Sequence, residues 1–413
     1  MSGTGRKLRM GMIGIGVGGA EILPAMDGSS EIDLVAGADI VPATRAVFAE
    51  RYPKARVYDS AEALCKDPEV DAVWISTPNR WHAPHAILAA QHGKHIVLEK
   101  PMALSMEEAR QVVAATDAAK VHLMAGHTQA YTHPIRAMRR IIASGRLGKL
   151  CALHLWTYSD WMLRPRTPDE LDERQGGGVP YRQTPHQIDT VRLLGGGMLR
   201  SVCGTTGNWH PERPAPGYYT AYMEFEDGTP CTIMHNGYGY FVTEELVPWS
   251  RGYIRYPADE RVEVRKQLLA GTREEEVDKQ AMRIGGKDEK RIFGELFGKQ
   301  AWSPFDLGLV VASCEHGDMR HSKMGLFIYD NDGVHEVDLN ATGGVEQRRA
   351  ELTEIYEAVV LGKPLFHDGR WGMATLEAGL AIMQSGRERR EIALQHQVAV
   401  PADYDADLEV PYL

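Results

Sequence analysis

A glycine-rich turn stands between a short strand and a helix near the start of this chain. The segment from Leu8 is a short, mostly apolar strand that leads into Gly14-x-Gly16-x-x-Gly19, and a helix-like stretch follows from Ala20. In this pattern the first glycine permits a tight turn, the second lets the backbone approach a pyrophosphate, and the third lets helix and strand pack closely. The N–H groups at the start of the helix then face the phosphates. The pattern in this setting predicts a dinucleotide-binding turn.

An acidic residue follows the second predicted strand. Residues 32–38 form an apolar run that ends at Asp39, twenty residues after Gly19. A carboxylate there accepts hydrogen bonds from the ribose hydroxyls of an adenosine, and it repels a 2′-phosphate. The next residues, 40–42, are Ile-Val-Pro and include no arginine to accommodate that phosphate. We therefore predict a preference for NAD over NADP, the alternative being that Asp39 is an ordinary solvated residue.

Length, charge and cysteine content narrow the class of protein. The chain has 413 residues, more than one hydrophobic core usually serves, so we expect two domains. It has 46 Lys and Arg against 56 Asp and Glu, and its formal charge of −10 argues against nucleic acid or an anionic membrane as a partner. The five cysteines are widely spaced without a paired metal motif, which predicts reduced thiols and no metal site. With no apolar signal core and no membrane-length run, we expect a soluble cytoplasmic protein.

Strand and helix patterns alternate through residues 1–125. Residues 70–76 and 95–99 have the apolar character of buried parallel strands, and residues 84–92 have that of a helix. Ser105 is the predicted N-cap of the next helix, which has acidic residues in its first turn. This alternation predicts an α/β fold with a Rossmann-type, doubly wound parallel sheet, and nucleotide chemistry at the carboxyl ends of its strands.

Beyond residue 125 the character of the chain shifts toward strands. A helix pattern is followed by strand patterns between Gly-rich turns, at residues 150–158, 218–225, 231–235 and 326–329. Residues 126–413 are therefore predicted to form an α+β domain with a large, mostly antiparallel sheet. Residues 251–300 are dense in charge, and we interpret them as an insertion that is a solvated surface excursion or an oligomer contact. Two amphipathic helices, at 346–360 and 371–386, are expected to pack back across the domains.

Three polar motifs are expected near the carboxyl edge of the parallel sheet. Residues 76–82, Ser-Thr-Pro-Asn-x-x-His, follow a strand, and their proline turn can set polar groups against a nicotinamide ribose. Residues 99–101 are Glu-Lys-Pro, in which the proline is expected to hold Lys100 extended, with its ammonium group near the nicotinamide. A Gly-rich loop at 176–178 precedes His-Gln-Ile-Asp at 186–189, whose ends lie one helical turn apart. Each motif alone has a structural alternative, such as a surface lysine or a core histidine.

The ordered set of motifs resembles the Gfo/Idh/MocA oxidoreductases over nearly the whole chain. Five motifs follow one another in the order found in that superfamily: the glycine turn, the acidic strand end, Thr-Pro-Asn, Glu-Lys-Pro and the Gly-rich loop before His-x-x-Asp. The resemblance implies an N-terminal Rossmann domain, a C-terminal sheet domain through which a homo-oligomer is expected, and hydride transfer with Lys100 and His186 at the reacting carbon. The cofactor-binding residues it implies are Gly14, Gly16, Gly19, Asp39, Thr77, Pro78, Asn79, His82 and Glu99.

One position departs from the pattern of the sugar- and cyclitol-oxidising members. Those members usually have an Asp four residues before the catalytic His, where it binds a substrate hydroxyl, and this chain has Arg182. A guanidinium cannot act as a base and is suited to bidentate binding of a carboxylate. The preceding loop adds Arg164, Arg166 and Arg174, of which one or two are expected to face the site. The alternative for Arg182 is a structural ion pair, with Asp189 as a candidate partner.

Short stretches also resemble the phthalate cis-4,5-dihydrodiol dehydrogenase branch of the superfamily. They are residues 125–128, 185–189 and 311–315, together with a later Gly-Leu-Phe-Ile-Tyr. The resemblance implies NAD-dependent oxidation of a carboxylated cis-dihydrodiol to a catechol-type product, with substrate contacts from Arg182, Asp189, His127 and Arg164. Whether Lys100 or His186 takes the proton is left open. A sugar or cyclitol dehydrogenase and a non-catalytic NAD-binding sensor are the alternatives, and the presence of both Lys100 and His186 argues against the sensor.

Overall fold

Two compact units make up the described part of the chain. The computed structural model describes residues 5–126, 128–247, 249, 256–289, 307–339 and 344–413. The first unit consists of the described residues of Met1–Gly126, Val277–Phe297 and Gly344–Leu376. The second consists of those of His127–Glu276, Gly298–Gly343 and Glu377–Leu413. Each unit is therefore assembled from segments that are distant along the chain.

The first unit is built on a six-stranded sheet in which neighbouring strands run parallel. Its strands are β1 (Leu8–Ile13), β2 (Ile32–Ala38), β3 (Arg56–Tyr58), β4 (Ala72–Ile75), β5 (His95–Leu98) and β6 (Leu123–Ala125). They lie in the order β3-β2-β1-β4-β5-β6, so the progression along the sheet reverses between β1 and β4. The predicted doubly wound parallel sheet is confirmed, and its reversal point is where such sheets bind ligands.

Helices alternate with these strands: α1 (Val17–Met26), α2 (Pro42–Arg51), α3 (Ala61–Cys65), α4 (His82–Gln91) and α5 (Met106–Ala119). The N-cap predicted for α5 is confirmed, because the Ser105 hydroxyl accepts a hydrogen bond from the N–H of Glu108. Strand β4 is shorter than predicted, but all four of its residues are buried. Burial on both faces is what a parallel strand between two helical layers requires.

The second unit is built on a nine-stranded, mostly antiparallel sheet. Its strands are β7 (Leu150–Tyr158), β8 (Leu199–Gly207), β9 (Tyr218–Phe225), β10 (Pro230–Asn236), β11 (Leu309–Cys314), β12 (Gly317–His321), β13 (Gly325–Asp330), β14 (Gly333–Asp338) and β15 (Ile392–Ala393). They lie in the order β14-β13-β12-β11-β7-β10-β9-β8-β15, and β7 pairs with β10 in parallel. The predicted large, mostly antiparallel sheet is confirmed.

The described residues of the second unit include the helices α6 (His133–Ser144), α7 (Val179–Gly195) and α8 (Ala258–Ala270), and α9 (Glu275–Ala281) passes from the second unit into the first after Glu276. Helix α7 packs on β7, β9 and β10, and nearly all of its residues from Gln183 to Leu194 are buried. The opposite face of the sheet exposes apolar side chains. Trp156 is 51 % exposed there, in one cross-strand row with Met234 and Leu309.

The charged segment at 251–300 includes a helix with a buried apolar face. Its residues 251–255 and 290–300 lie outside the described residues. In the remainder, α8 packs Val264 and Leu268 into an apolar cluster with Leu163 and Tyr256. Two apolar side chains one helical turn apart thus bury one face of α8. The interpretation of the segment as a surface excursion or an oligomer contact stays a prediction.

The two C-terminal helices are α10 (Gly344–Leu361) and α11 (Gly369–Glu388). Helix α10 packs on α1 and β1 within the first unit. Helix α11 belongs to the first unit up to Leu376 and to the second unit from Glu377 onward. In the described part of the chain, neither these nor any other helix is long and apolar enough to cross a membrane.

The end of α7 packs on β9 without room for a side chain. A Cβ on Gly195 would lie 2.1 Å from the ring of Phe225, which is itself buried. We expect Gly195→Ala to lower the free energy of unfolding by about 1–3 kcal/mol, because the ring or the helix must move. Thermal unfolding of the purified protein measures this effect. Adding Phe225→Leu should restore part of the loss, and an unchanged midpoint in Gly195→Ala would contradict the packing described.

Candidate active site

The carboxyl ends of four parallel strands meet in one row. In the register of the six-stranded sheet, Ala38 pairs with Ile13, Ile13 with Ile75, and Ile75 with Leu98. The residue that follows each strand end therefore lies at the same edge of the sheet. These residues are Asp39, Gly14, Ser76 and Glu99. The sheet thus brings together the glycine turn, the acidic strand end and the start of the Thr-Pro-Asn and Glu-Lys-Pro motifs.

The glycine turn has a backbone that only glycine suits. Gly14 has a φ of +88°, in the left-handed region that side chains disfavour. A Cβ on Gly19 would lie 2.3 Å from the carbonyl oxygen of Gly14, so helix and turn can approach only without one. A Cβ on Gly16 would meet nothing within 4 Å, and Gly16 has no side chain to cap the first N–H groups of α1. Open space in front of a helix N-terminus is what a pyrophosphate needs.

The carboxylate of Asp39 is bonded to the turn beside it. One of its oxygens accepts a hydrogen bond from the N–H of Ile15 and the other from the N–H of Val41, each at 2.8 Å. Each carboxylate oxygen has a second lone pair with which to accept a ribose hydroxyl. Arg45 of α2 donates to the carbonyl oxygen of Asp39 at 2.8 Å. This arginine lies just beyond the stretch 40–42, which has no arginine.

The Thr-Pro-Asn motif opens a short 3-10 helix, Asn79–Trp81, that leads into α4. Pro78 precedes this helix, and the side chain of Asn79 is buried. The hydroxyl of Thr77 lies 3.1 Å from Nδ1 of His85, whose ring stacks on Trp81. The three residues are therefore held in the turn that the proline predicted, directly after strand β4.

His82 joins two of the motif loops to each other. The residue is 2 % exposed, and its Nδ1 lies 2.7 Å from the carbonyl oxygen of Pro101. Its Nε2 lies 2.7 Å from the carbonyl oxygen of Thr77. Both ring nitrogens face the backbone, so the geometry favours an indirect part in cofactor binding over the direct contact that the resemblance implied.

Glu99 is buried against an arginine from far along the chain. Arg348 approaches the carboxylate of Glu99 to 3.2 Å, and it also pairs with Glu21 and Glu351, at 3.3 and 3.1 Å. Burial alone would lower the pKa of Arg348, but these carboxylates raise it above its usual range. Lys100 follows Glu99 directly, is partly exposed, and is joined to the next residue by a cis peptide bond. Arg348 thus compensates the negative charge next to Lys100.

Helix α7 of the second unit presents the other predicted catalytic group. His186 and Asp189 lie three residues apart on this helix, which confirms the predicted helical spacing. His186 is 7 % exposed, whereas Asp189 is completely buried. Burial lowers the pKa of Arg192, and the negative charges of Asp189 and Glu377 oppose that effect. The burial of Asp189 beside this guanidinium favours a structural ion pair, and its contact with substrate stays a prediction.

Two of the predicted arginines share one carboxylate. Arg166 lies 3.1 Å from Glu170, and Arg182 of α7 lies 3.5 Å from the same oxygen. The third, Arg164, pairs with Asp160 at 2.8 Å, and both of these side chains are largely buried. Arg182, with a side chain 27 % exposed, is therefore the most accessible member of the group.

Guanidinium groups and carboxylates both surround Arg166. Burial lowers the pKa of its guanidinium, and the charge of Glu170 opposes that effect. The guanidinium groups of Arg182, Arg164 and Arg213 then lower the pKa further. Arg174 differs from these residues, because it is a solvated side chain bound to Asp172 of its own loop. Of the arginines in the loop before α7, Arg164 and Arg166 are thus near Arg182, and Arg174 is not part of the buried group.

Sequence reasoning named Ser76 in a motif without its role and missed Arg348, and one predicted residue is not described. The hydroxyl of Ser76 donates to the carbonyl oxygen of Gly14 at 2.7 Å and so secures the glycine turn to β4. Its position at a strand end, next to the Thr-Pro-Asn motif, was a signal that could have found it. Arg348 had no local signal, because it is 249 residues from Glu99. His127 lies outside the described residues.

The residues of the first unit fit a nicotinamide dinucleotide. The glycine turn and the first N–H groups of α1 would hold its pyrophosphate, and the Asp39 carboxylate would receive the adenosine ribose. Residues 8–127 match the GFO/IDH/MocA oxidoreductase family with its NAD-binding Rossmann fold, and residues 135–241 match the GFO/IDH/MocA C-terminal domain. The two matched segments together span more than half of the chain.

Relatives with assigned activities are similar over much of the chain. A 1-carboxy-3-chloro-3,4-dihydroxycyclohexa-1,5-diene dehydrogenase of Comamonas testosteroni is 30 % identical over 92 % of this chain and 95 % of that protein. An inositol 2-dehydrogenase of Rhizobium meliloti (strain 1021) is 32 % identical over 48 % of this chain and 58 % of that protein.

Solved structures share the fold. A protein of Bordetella bronchiseptica RB50 described as a dehydrogenase has a TM-score of 0.84 at 30 % identity, covering 94 % of this chain and 100 % of that one. Levoglucosan dehydrogenase in complex with NADH and levoglucosan has a TM-score of 0.71 at 17 % identity, with the same coverage of 94 % and 100 %. From the matched domains and the full-length relative, the chain belongs to the GFO/IDH/MocA family of NAD-dependent oxidoreductases.

Proposed function

We propose that this protein oxidises a carboxylated cis-dihydrodiol, of the phthalate 4,5-dihydrodiol type, to a catechol-type aromatic diol. The observation that supports this most is the placement of Arg182 and Arg166 on the single carboxylate of Glu170, in the segment predicted to bind substrate. The name of the full-length Comamonas relative also describes a carboxylated dihydroxycyclohexadiene. An acidic ring diol is the substrate class that agrees with both observations.

The reaction removes one hydride and one proton from a ring carbinol. When bound, NAD supplies the acceptor for the hydride of the carbinol carbon. Lys100 or His186 takes the proton of the hydroxyl group, and the carbon–oxygen bond becomes a carbonyl. The hydroxydienone so formed tautomerises to the aromatic diol, so no further oxidant is needed and aromatisation favours the forward direction. Lys100 serves as the base only from its neutral form; otherwise it orients the hydroxyl and His186 takes the proton.

The carboxylate of such a substrate would be received by Arg182. This residue has the more accessible guanidinium of the pair, with 27 % of its side chain exposed against 6 % for Arg166. The neighbouring Arg166, Arg164 and Arg213 are paired with Glu170, Asp160 and Glu275. Arg182 would exchange its longer contact with Glu170, at 3.5 Å, for the carboxylate of the substrate. Because a guanidinium presents parallel N–H groups, it also fixes the orientation of the carboxylate. The ring diol would thereby be bound in one orientation.

A sugar or cyclitol dehydrogenase is the second candidate. It is supported by the inositol 2-dehydrogenase of Rhizobium meliloti, a relative over about half of this chain. Inositol has no charge, so a substrate of that kind makes no use of an arginine pair at the position of Arg182. The dihydrodiol is therefore the function that we favour. The homo-oligomer expected through the sheet domain and the cytoplasmic location stay predictions.

Removing either proposed proton-transfer group should nearly abolish turnover. We expect Lys100→Ala and His186→Ala each to lower the turnover number by about 100- to 10,000-fold, the usual contribution of general acid–base catalysis. NAD reduction with a carboxylated dihydrodiol, followed by absorbance, measures the rate. Calorimetric titration with NAD should give nearly wild-type affinity and so excludes misfolding. A loss below about tenfold in both variants would show that other groups perform the chemistry.

Neutralising Arg182 should discriminate between acidic and neutral substrates. A charge-assisted hydrogen bond contributes about 1.5–3 kcal/mol, so Arg182→Gln should lower kcat/KM for a carboxylated diol by about tenfold to a hundredfold. A neutral diol should be affected little. Arg174→Gln is the matched control, because Arg174 is 89 % exposed and lies in the same loop region. Equal losses for charged and neutral diols, or a better rate with inositol, would contradict the carboxylate role.

Asp39 should set the preference for NAD over NADP. We expect Asp39→Asn to lower the ratio of kcat/KM with NAD to kcat/KM with NADP by at least about tenfold, because the charge that repels a 2′-phosphate is lost. The gain with NADP should depend on Arg45, so the double variant with Arg45→Ala should lose it. Asp33→Asn, on the exposed side of β2, is the control and should leave the ratio unchanged. Equal use of both cofactors by the wild-type protein would overturn the prediction.

A further inference from the structure

The ring of His82 lies between two backbone carbonyls, and this arrangement decides how many protons it holds. Nδ1 faces the oxygen of Pro101 and Nε2 faces the oxygen of Thr77, both at 2.7 Å. A carbonyl oxygen only accepts hydrogen bonds, whereas a neutral imidazole has one N–H donor and one lone pair. In either neutral tautomer, one nitrogen lone pair would therefore face a carbonyl oxygen at hydrogen-bond distance. Only the doubly protonated ring donates to both.

Burial works against a charge on this ring, and the two carbonyls work in its favour. The residue is 2 % exposed, and desolvation disfavours the charged form of a histidine. Hydrogen bonds donated by the charged form favour it, and charge-assisted bonds are about twice as strong as neutral ones. A neutral ring would also leave one buried carbonyl facing a lone pair. The two short contacts therefore favour the imidazolium.

We propose that His82 is an imidazolium in the folded protein, and that its charge lowers the proton affinity of the Lys100 amine. His82 contacts the carbonyl of Pro101, which is the residue directly after Lys100. A positive charge at that place disfavours a second positive charge nearby. His82 is thus a positioning residue that acts through Lys100. The second half of the proposal rests on the proposed role of Lys100 as the base.

Several charged groups lie near α4, among them Arg80, whose guanidinium is 5.9 Å from the centre of the Trp81 ring. Glu99, at the end of β5, is paired with Arg348, and Glu108 of α5 accepts a hydrogen bond from the N–H of Leu104. His85 lies one turn further along α4, where burial and then the charge of His82 lower its pKa to about 4. At neutral pH His85 is therefore uncharged. It is the matched control, since it lies on the same helix and its ring contacts Thr77.

The protonation of His82 can be observed without any turnover. In the protein labelled with nitrogen-15 in its histidines, the His82 resonances are identified by their loss in His82→Gln. We expect both ring nitrogens to show the chemical shifts of protonated nitrogen from about pH 6 to about pH 8, where an ordinary histidine becomes neutral. A neutral tautomer at about pH 7 would overturn the proposal. The wild-type spectrum decides this even if His82→Gln fails to fold, because through-bond correlations from the ring to the assigned backbone also identify the His82 resonances.

The coupling to Lys100 is measured by direct titration. With lysine amines carrying carbon-13 methyl labels, and with Lys100→Met to identify the resonance, the Lys100 titration midpoint should rise by about one pH unit in His82→Gln. It should stay in place in His85→Gln. Coupling between two sites is reciprocal, so Lys100→Met should raise the pH at which His82 loses its proton. An unchanged midpoint for Lys100 in His82→Gln, or for His82 in Lys100→Met, would overturn the coupling.

The rate profile then separates this proposal from the proposed function. With a carboxylated diol, kcat/KM is measured as a function of pH. The midpoint of the acid limb of this profile should move to higher pH by about one unit in His82→Gln and stay unchanged in His85→Gln. The sign follows from the base: Lys100 works when neutral, and removing the nearby charge makes it hold its proton to higher pH. If the wild-type protein turns over no diol, the proposed function fails, while the two titrations still decide the charge of His82 and its coupling. If turnover occurs and the limb does not move, the coupling to the reaction is wrong.

Discussion

The register of the parallel sheet is the constraint on which the candidate site depends. Ala38, Ile13, Ile75 and Leu98 pair across four neighbouring strands, so the chain leaves the sheet four times along one edge. Every group proposed to bind the dinucleotide follows one of those exits. A register shift of one strand would move a motif away from the others, because successive side chains of a strand point to opposite faces. The buried apolar strands that hold this register are therefore part of the functional architecture.

The charged groups near the proposed functional residues are compensated differently in the two units. In the first unit, Arg348 pairs with Glu99, and the backbone carbonyls of Thr77 and Pro101 face the ring of His82. In the second unit, by contrast, Arg166 and Arg182 share the carboxylate of Glu170. In the proposed function, the first arrangement surrounds a lysine that takes part in proton transfer, and the second includes the arginine that binds an anion.

The family is a property of the whole chain, whereas the proposed substrate depends on a few side chains. The matches to both GFO/IDH/MocA domains and the full-length similarity to the Comamonas dehydrogenase establish an NAD-dependent oxidoreductase. The substrate rests on fewer residues, above all on Arg182 where polyol-oxidising members usually have an acid. One side chain can alter specificity in this way because a buried or partly buried guanidinium binds carboxylates far better than hydroxyl groups. Substrate preference can therefore diverge while the fold and cofactor stay the same.

The sequence by itself determined the fold class, the cofactor turn and the helical spacing of His186 and Asp189. Each of these depends on local periodicity or on glycine at a strained turn, and such information lies within a few neighbouring residues. The partners of the charged groups were decided only by the tertiary structure: Arg348 for Glu99, Arg45 for the backbone of Asp39, and two carbonyls for His82. No local pattern reveals the contact of Arg348 with Glu99, because these residues are 249 positions apart. Arg45 and His82 contact the backbone of nearby segments, but the folded chain decides which carbonyl oxygens they meet. Burial is likewise a property of the packed chain. On helix α7 the packing buries Asp189 completely, whereas the side chain of Arg182 stays 27 % exposed.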